Sequence, residues 1–262
     1  MGEVIVVTSG KGGVGKTTTT ANIGTALAAM GKRVVLVDGD TGLRNLDILM
    51  GLENRVVYNF LDVIEMKCSL KQALVKDKKF DNLFLLATSQ IKNKNDVESE
   101  KMIALIGELK KQFDYVIIDS PAGIEKGFEN SAIAADIALI VVNPEMTSIR
   151  DANRVIGMLK DMKISNCKII INRIDYDMIK SGDMLNIEDI VSSLEIEPIG
   201  VVPSDKAITI STNRGEPIVL SEGTKLAKAF KEISLRILGE EIPFENEETK
   251  FVDIFKKLFA SK

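Results

Sequence analysis

The sequence predicts an α/β fold with a doubly wound, mostly parallel sheet and helices on both of its faces. Short apolar runs rich in β-branched residues recur along the 262-residue chain, and longer segments with helical spacing separate them. Apolar runs that do not alternate with polar residues are typical of strands buried on both faces, as in parallel sheets. The helices between them complete the pattern of an open α/β sheet.

Seven strands and four helices are expected from this pattern. The strands are expected at residues 4–7, 34–38, 83–87, 115–119, 137–142, 168–172 and 199–202. The helices are expected at residues 16–30, 98–112, 149–162 and 187–194, and Gly31 would end the first of them. Because ligands bind at the carboxyl ends of the strands in such sheets, polar residues that follow a strand are the first candidates for a site.

The composition narrows the possible chemistry. Hydrophobic residues make up 45% and charged residues 27% of the chain, which is enough for a packed core. The formal net charge of −4 gives no general attraction to nucleic acid, so none is expected as a partner. The chain has no histidine, which excludes imidazole bases and histidine metal ligands. Cys68 and Cys167 lie far apart and we expect reduced thiols in a cytoplasmic protein, without a signal peptide or a membrane span.

A phosphate-binding loop follows the first expected strand. Residues 10–17 fit the pattern G-x-x-x-x-G-K-[ST], and a strand before and a helix after them are the context that this motif requires. Backbone N–H groups of such a loop surround phosphate oxygens together with the positive end of the helix. Lys16 would reach the β- and γ-phosphates, and the Thr17 hydroxyl would bind Mg²⁺. The nucleotide-binding residues expected here are Gly10, Lys11, Gly12, Gly13, Val14, Gly15, Lys16, Thr17 and Thr18.

Carboxylates end two of the expected strands. Asp38 ends the second strand and Asp40 lies two residues later, where they could orient a water molecule and attend a Mg²⁺ ion, or one of them could cap the next turn. Asp119 ends the fourth strand in the Walker B arrangement and would hold Mg²⁺ through water. Gly123 can turn its N–H group toward a γ-phosphate, as switch segments do. The expected magnesium site therefore consists of Thr17, Asp38 and Asp119.

A second lysine in the loop points to a particular family. Lys11 lies five residues before Lys16, and the loop resembles the deviant Walker A loop of the family that includes the Min and Par partition ATPases and the nitrogenase iron protein. The resemblance implies hydrolysis of ATP to ADP by a homodimer, in which Lys11 reaches the partner's nucleotide. It assigns catalysis to Lys11, Lys16 and Asp40, with Asp40 activating water and Asp38 as the alternative for that role.

The resemblance also implies where the base is recognised. Adenine recognition would fall to Asn172, Arg173, Pro203 and Asp205, which follow the sixth and seventh strands. Residues 172–175 differ from the guanine-type motif N-K-x-D by arginine for lysine, so the residues alone do not exclude GTP. The family resemblance favours ATP.

Further segments resemble one branch of this family, the septum-site-determining ATPases of bacteria. These segments are residues 42–47, 50–55 and 119–125, and the resemblance extends over roughly residues 2 to 260. It implies an ATP-dependent, dimerising switch that recruits the division inhibitor MinC, which blocks FtsZ ring assembly away from midcell. MinC would dock near residues 149–154, for which an exposed charged helix face is the alternative. A release factor such as MinE would stimulate hydrolysis where one exists.

Residues 251–262 form a separate amphipathic segment. Its apolar residues share one helical face beside several lysines, and they are Phe251, Ile254, Phe255, Leu258 and Phe259. An acidic, polar linker at residues 240–250 separates it from an ATPase domain at residues 1–239. This arrangement favours a helix that binds anionic lipid on the inner face of the cell membrane, and a terminal helix docked on the core is the alternative. Two copies in a dimer would bind much more tightly than one.

Other functions share parts of this pattern. A chromosome- or plasmid-partition ATPase, or a flagellar-number ATPase, would use the same loop. Residues 38–42 lack the Asp-x-Asp-Pro-Gln pattern that is usual in partition proteins. A metal-carrier relative would need cysteines at its interface, whereas Cys68 and Cys167 lie outside the switch segments.

Overall fold

The structure of the chain is a computed structural model that describes residues 2–40, 44–89, 98–123 and 126–244. Its strands are β1 (Glu3–Thr8), β2 (Val34–Asp38), β3 (Leu74–Lys76), β4 (Leu83–Leu86), β5 (Tyr115–Asp119), β6 (Ile137–Val142), β7 (Cys167–Ile174) and β8 (Pro198–Pro203). They form one sheet in the order β3-β4-β2-β5-β1-β6-β7-β8. All neighbouring pairs are parallel except β3 and β4. The predicted fold class is therefore confirmed.

The apolar runs locate seven of these strands to within two residues at either end. The sequence pattern does not predict β3, because three residues at the edge of a sheet are too few to show a period. This short strand pairs antiparallel with β4 and covers that strand's outer edge.

The helices are α1 (Lys16–Ala29), α2 (Leu46–Leu49), α3 (Phe60–Ile64), α4 (Leu70–Ala73), α5 (Ser99–Gln112), α6 (Lys126–Ala132), α7 (Met146–Asp161), α8 (Tyr176–Ser181), α9 (Ile187–Leu194), α10 (Ala207–Arg214) and α11 (Lys225–Ile237). All four expected helices are present, and α7 begins three residues earlier than expected. Gly31 follows α1 with φ 83°, a left-handed conformation that suits glycine at a helix end. The other seven helices were not predicted, and among them α11 has a buried apolar face formed by Leu226, Phe230 and Ile233.

Both faces of the sheet are covered by helices, as expected. Along β1, Val4 and Val6 lie in one core and Ile5 and Val7 lie in the other, and all four side chains are fully buried. Side chains of α5, α7 and α9 complete the first core, whereas α1 and α11 complete the second. Each such apolar side chain stabilises the fold by about 1.5–3 kcal/mol, so burial on two sides fixes β1 firmly.

The strand order brings the carboxyl ends of β1, β2 and β5 side by side. Asp119 at the end of β5 pairs in register with Val7 of β1 on one side and with Asp38 of β2 on the other. The phosphate loop leaves β1 at this edge. Residues that are far apart in sequence therefore meet at one edge of the sheet, where ligands of such folds bind.

The start of the expected linker lies against the end of α11. Arg236 donates hydrogen bonds to the carbonyl oxygens of Ile242 and Ile199, both at 3.0 Å, and its guanidinium lies 4.0 Å from the centre of the Phe244 ring. Residues 245–250 of the linker and the amphipathic segment 251–262 lie outside the described residues. Within the described ranges, no helix is both long enough and apolar enough to cross a bilayer.

Candidate nucleotide site

The phosphate loop is shaped by close contacts that only glycine permits. Gly13 and Gly15 have φ values of 76° and 104°, in the left-handed region that other residues rarely adopt. A Cβ atom on Gly10 would lie 2.3 Å from the carbonyl oxygen of Asp151 in α7, and one on Gly15 would lie 2.4 Å from Nδ2 of Asn172. The loop is therefore pressed between α7 and the end of β7.

The loop leads directly into α1 with no side chain capping the helix. Gly15 is the N-cap residue and makes no side-chain cap bond, so the N–H groups of Lys16, Thr17 and Thr18 point out of the first turn. These N–H groups and the helix dipole favour an anion. The observed local structure is thus the strand–loop–helix unit that the motif predicted.

Lys16 and Asp119 form the buried centre of the site. Lys16 is only 8% exposed, and its Nζ donates a hydrogen bond of 3.1 Å to Oγ of Ser9. Asp119 is fully buried, and burial raises its pKa to about 7, although hydrogen bonds from Thr17 and Thr20 and the charge of Lys16 oppose this shift. A buried carboxylate beside a threonine hydroxyl, with its charge incompletely compensated, is a donor set that suits a hard divalent cation.

Asp38 is buried beside Asp119, but its carboxylate oxygens accept hydrogen bonds from backbone N–H groups in the segment that follows it. Its Oδ1 accepts a hydrogen bond from the Asp40 N–H at 3.1 Å, and its Oδ2 accepts one from the Leu46 N–H at 3.4 Å. Burial and then the nearby Asp119 raise the pKa of Asp38 well above its usual range. The sequence suggested that either Asp38 or Asp40 caps the next turn. In the structure, Asp38 makes these contacts.

Asp40 is half-buried. It is the last described residue before residues 41–43, which lie outside the described ranges. Its charge raises the pKa of Asp119, so the two carboxylates face the same space. This position is compatible with the expected activation of water.

Lys11 lies at the surface and contacts α7 of its own chain. Its Nζ donates to Oε2 of Glu145 at 3.0 Å and to Oγ1 of Thr147 at 3.4 Å, and the side chains of the ion pair are each about half exposed. An ion pair this exposed contributes at most about 1 kcal/mol, so Lys11 can leave it at little cost.

The switch glycine and one serine complete the described loop. Gly123 adopts φ 90°, and its N–H donates a hydrogen bond of 3.3 Å to the carbonyl oxygen of Ser9. Ser9 is buried and also contacts both lysines of the loop. Sequence reasoning missed Ser9, because it precedes the first motif glycine and the motif specifies no residue there.

Only some of the residues expected to recognise adenine meet the loop. Nδ2 of Asn172 donates a hydrogen bond of 2.7 Å to the carbonyl oxygen of Val14. Arg173 has φ 61° at an irregularity in the pairing of β7 with β8, and it lies at the surface. Pro203 ends β8, and Oδ1 of Asp205 accepts a hydrogen bond from the Ala207 N–H at the start of α10. Asn172 is therefore the residue of this set that is joined to the phosphate loop.

Comparison with known proteins identifies the family. The family model of the CobQ/CobB/MinD/ParA nucleotide binding domain matches residues 5–218. The septum site-determining protein MinD of Bacillus subtilis is 49% identical over 247 residues, which cover 94% of this chain and 92% of the relative. The chain belongs to the MinD family. The MinD of Helicobacter pylori is 47% identical over 99% of this chain and 100% of its own length.

Solved MinD structures have the same fold. The MinC:MinD cell division protein complex of Aquifex aeolicus matches with a TM-score of 0.88 and 52% identity, over 93% of this chain and 98% of that one. The MinD of Pyrococcus horikoshii complexed with Mg-ADP matches with a TM-score of 0.81 and 28% identity, over 92% of this chain and 100% of that one. A ParA family ATPase of Chlorobium tepidum is only 23% identical, which shows the shared fold alone. The MinD-family chain is accordingly a nucleotide-binding ATPase, and the partition alternative is not favoured.

Proposed function

We propose that this chain is a septum-placing switch, in which ATP binding favours a homodimer and hydrolysis returns the monomer. The observation that carries the proposal is a phosphate loop with two lysines beside the buried Asp119. Lys16 lies inside the site, whereas Lys11 lies at the surface and is held by an exposed ion pair. A lysine that leaves this pair can place its charge beside the phosphates of the nucleotide bound to a second chain, where phosphoryl transfer needs positive charge.

Within one chain, each proposed role follows from position. Lys16 binds the β- and γ-phosphates, and the N–H of Gly123 leaves Ser9 for a γ-phosphate oxygen. Thr17 and Asp119 would hold Mg²⁺, which would supply positive charge to offset the negative charge of the phosphates. Asp40 orients the attacking water, and Asp38 supports the loop that carries Asp40.

Asn172 supplies the proposed preference for adenine. Its Nδ2 donates to the Val14 carbonyl, which turns Oδ1 away from the loop as a hydrogen-bond acceptor. An acceptor at this place suits the 6-amino group of adenine. Arg173, Pro203 and Asp205 would form the walls around the base.

The proposed partners are MinC, a release factor such as MinE, and an anionic membrane. The Aquifex MinD structure is a complex with MinC, which supports the same partnership for this chain. MinC would dock near the exposed polar face of α7. Residues 251–262 would form the helix that binds lipid from the cytoplasmic side, joined by the linker at residues 240–250 to the ATPase domain at residues 1–239.

Size-exclusion chromatography with light scattering tests the switch. The Asp40→Ala variant, which should bind ATP and Mg²⁺ but hydrolyse it slowly, is expected to elute as a dimer with ATP and as a monomer with ADP. Lys11→Ala in the same background should remain monomeric with ATP. A monomer under all conditions would contradict the proposed function.

Liposome sedimentation tests the membrane part separately. Full-length protein with ATP should sediment with vesicles containing phosphatidylglycerol, and a chain ending at residue 250 should remain in the supernatant. The truncated chain should keep its ATPase activity, because the described site lies wholly before residue 206. Undiminished sedimentation of the truncated chain would exclude residues 251–262 as the anchor.

A further inference from the structure

Ser9 lies at the junction of the parts that handle phosphate. It follows β1, precedes Gly10, and is 1% exposed. Its Oγ donates a hydrogen bond of 2.7 Å to the Lys11 carbonyl and accepts one of 3.1 Å from Nζ of Lys16. Its own carbonyl accepts the N–H of Gly123 at 3.3 Å.

The hydroxyl of Ser9 has a fixed orientation in this arrangement. A serine hydroxyl offers one donor and two acceptor lone pairs. Because the proton is directed to the Lys11 carbonyl, a lone pair remains for the ammonium group of Lys16. Charge-assisted hydrogen bonds of this kind are stronger than neutral ones, and burial strengthens them further.

We propose that Ser9 is a positioning residue for ATP hydrolysis, which acts by aiming the ammonium group of Lys16 at the phosphates. The proposal rests on the proposed role of Lys16 as a phosphate ligand. A flexible lysine side chain would otherwise have to be ordered when the nucleotide binds. With Ser9 in place, the side chain of Lys16 is already ordered inside the loop before the nucleotide binds.

The same hydroxyl fixes the turn from which Lys11 departs. The Oγ contact holds the backbone carbonyl of Lys11, while the Lys11 side chain is free to exchange Glu145 for another anion. One buried hydroxyl thus orders the inner lysine and the backbone of the outer one. Misplacement of a catalytic charge by about 1 Å can slow a reaction about 100-fold, so even a partial loss of this order is measurable.

Two substitutions remove the hydrogen bonds with different effects on shape. Ser9→Ala deletes the hydroxyl, and Ser9→Cys keeps the size of the side chain but offers only a weak donor and acceptor. Each is expected to lower kcat for ATP about tenfold, to change KM less than threefold, and to raise the Kd for ADP about fivefold. Ser234→Ala is the matched control, because Ser234 is a buried serine that donates to a backbone carbonyl in α11.

A double-mutant cycle with Lys16→Gln separates positioning from a merely structural role. If Ser9 acts through Lys16, Ser9→Ala should raise the Kd for ADP about fivefold in the natural background and leave it unchanged in the Lys16→Gln background. An equal loss of affinity in both backgrounds would overturn the positioning role, as would unchanged kcat in the folded Ser9→Cys variant. If Lys16→Gln alone left the Kd for ADP unchanged, the proposed phosphate site itself would be wrong.

Discussion

Acidic residues at the two ends of the sheet have opposite surroundings, because those at the amino ends are exposed and those at the carboxyl ends are buried. At the amino ends of the strands, Oδ2 of Asp136 accepts the Val4 N–H at 2.8 Å, and both of its oxygens accept hydrogen bonds from Lys110. Asp114 likewise accepts the Arg33 N–H at 2.8 Å. These carboxylates are hydrogen-bonded to backbone N–H groups, and Asp136 also to Lys110.

At the carboxyl ends, two carboxylates are buried side by side. Burial raises the pKa of both Asp38 and Asp119, and each also lies near another carboxylate. Their burial costs stability that their hydrogen bonds only partly offset. One end of this sheet pairs its carboxylates with N–H groups and lysine, whereas the other end buries two carboxyl groups at the proposed cation site.

The largest expected effect comes from neutralising the carboxyl end. Asp119→Asn should lower ATP turnover at least about 100-fold, because the proposed Mg²⁺ site would lose a charged ligand. The same change should raise the free energy of unfolding of the nucleotide-free protein at pH 8 by about 1–3 kcal/mol, since a buried charge disappears. Phosphate release and urea denaturation measure the two effects. A variant that loses both activity and stability would contradict the comparison.

The pH dependence of stability sharpens the same contrast. The pKa of Asp119 is raised from 3.8 to about 7, so the native state binds this proton more readily than the unfolded state does. The free energy of unfolding should therefore rise as the pH falls from 8 to 6, by about 1 kcal/mol from this group. Because the chain has no histidine, no imidazole titrates in this range. Urea denaturation of Asp119→Asn at the same pH values should give a flatter dependence, and an equal slope would assign the effect elsewhere.

Removing a paired carboxylate at the amino end should have the reverse outcome. Asp136→Ala is expected to lower the free energy of unfolding by about 1–2 kcal/mol, because the Val4 N–H and Lys110 lose their partner. Turnover per folded molecule should stay within twofold of the natural protein. Asp136→Asn, which can still accept the Val4 N–H, should be destabilised about half as much. A large loss of kcat in either variant would remove the division of roles between the two ends.

The smallest effect is expected for the exposed pair at the carboxyl end. Glu145→Gln breaks the ion pair with Lys11, yet both side chains are about half exposed. The free energy of unfolding of the monomer should change by less than about 0.5 kcal/mol, and high salt should abolish even this difference. A cost above 1 kcal/mol in chemical denaturation would show that Lys11 has a structural role in the monomer.

The strands and the phosphate loop could be predicted from the sequence because their signals are local. Continuous apolar runs locate β1, β2 and β5, and a parallel sheet then places Asp38 and Asp119 at one edge. The roles of Ser9 and Asp136 could not be predicted, because they depend on partners that the fold brings near. Ser9 contacts Gly123, which is more than 100 residues away, and Asp136 contacts Val4. No periodicity or motif records such distant contacts.

The missed helix α11 has a different cause. Its amphipathic pattern is clear in the sequence, but it follows α10 and the connection at residues 215–224, which contains a 3-10 helix, rather than a strand. It therefore lies outside the strict alternation of strands and helices. The alternation predicts the sheet and its crossovers well. It says less about the helices that cover the edges of the second core.

The central position of β1 has a consequence for synthesis of the chain. This strand precedes the other described strands in the chain, yet its neighbours in the sheet are β5 and β6, which are more than 100 residues away in sequence. The first partner strand of β1 is therefore complete only at residue 119 and the second only at residue 142. Contacts over such separations form slowly and leave hydrophobic segments open to aggregation. The sheet edge that carries the phosphate loop and Asp119 can thus form only after β5 has been translated.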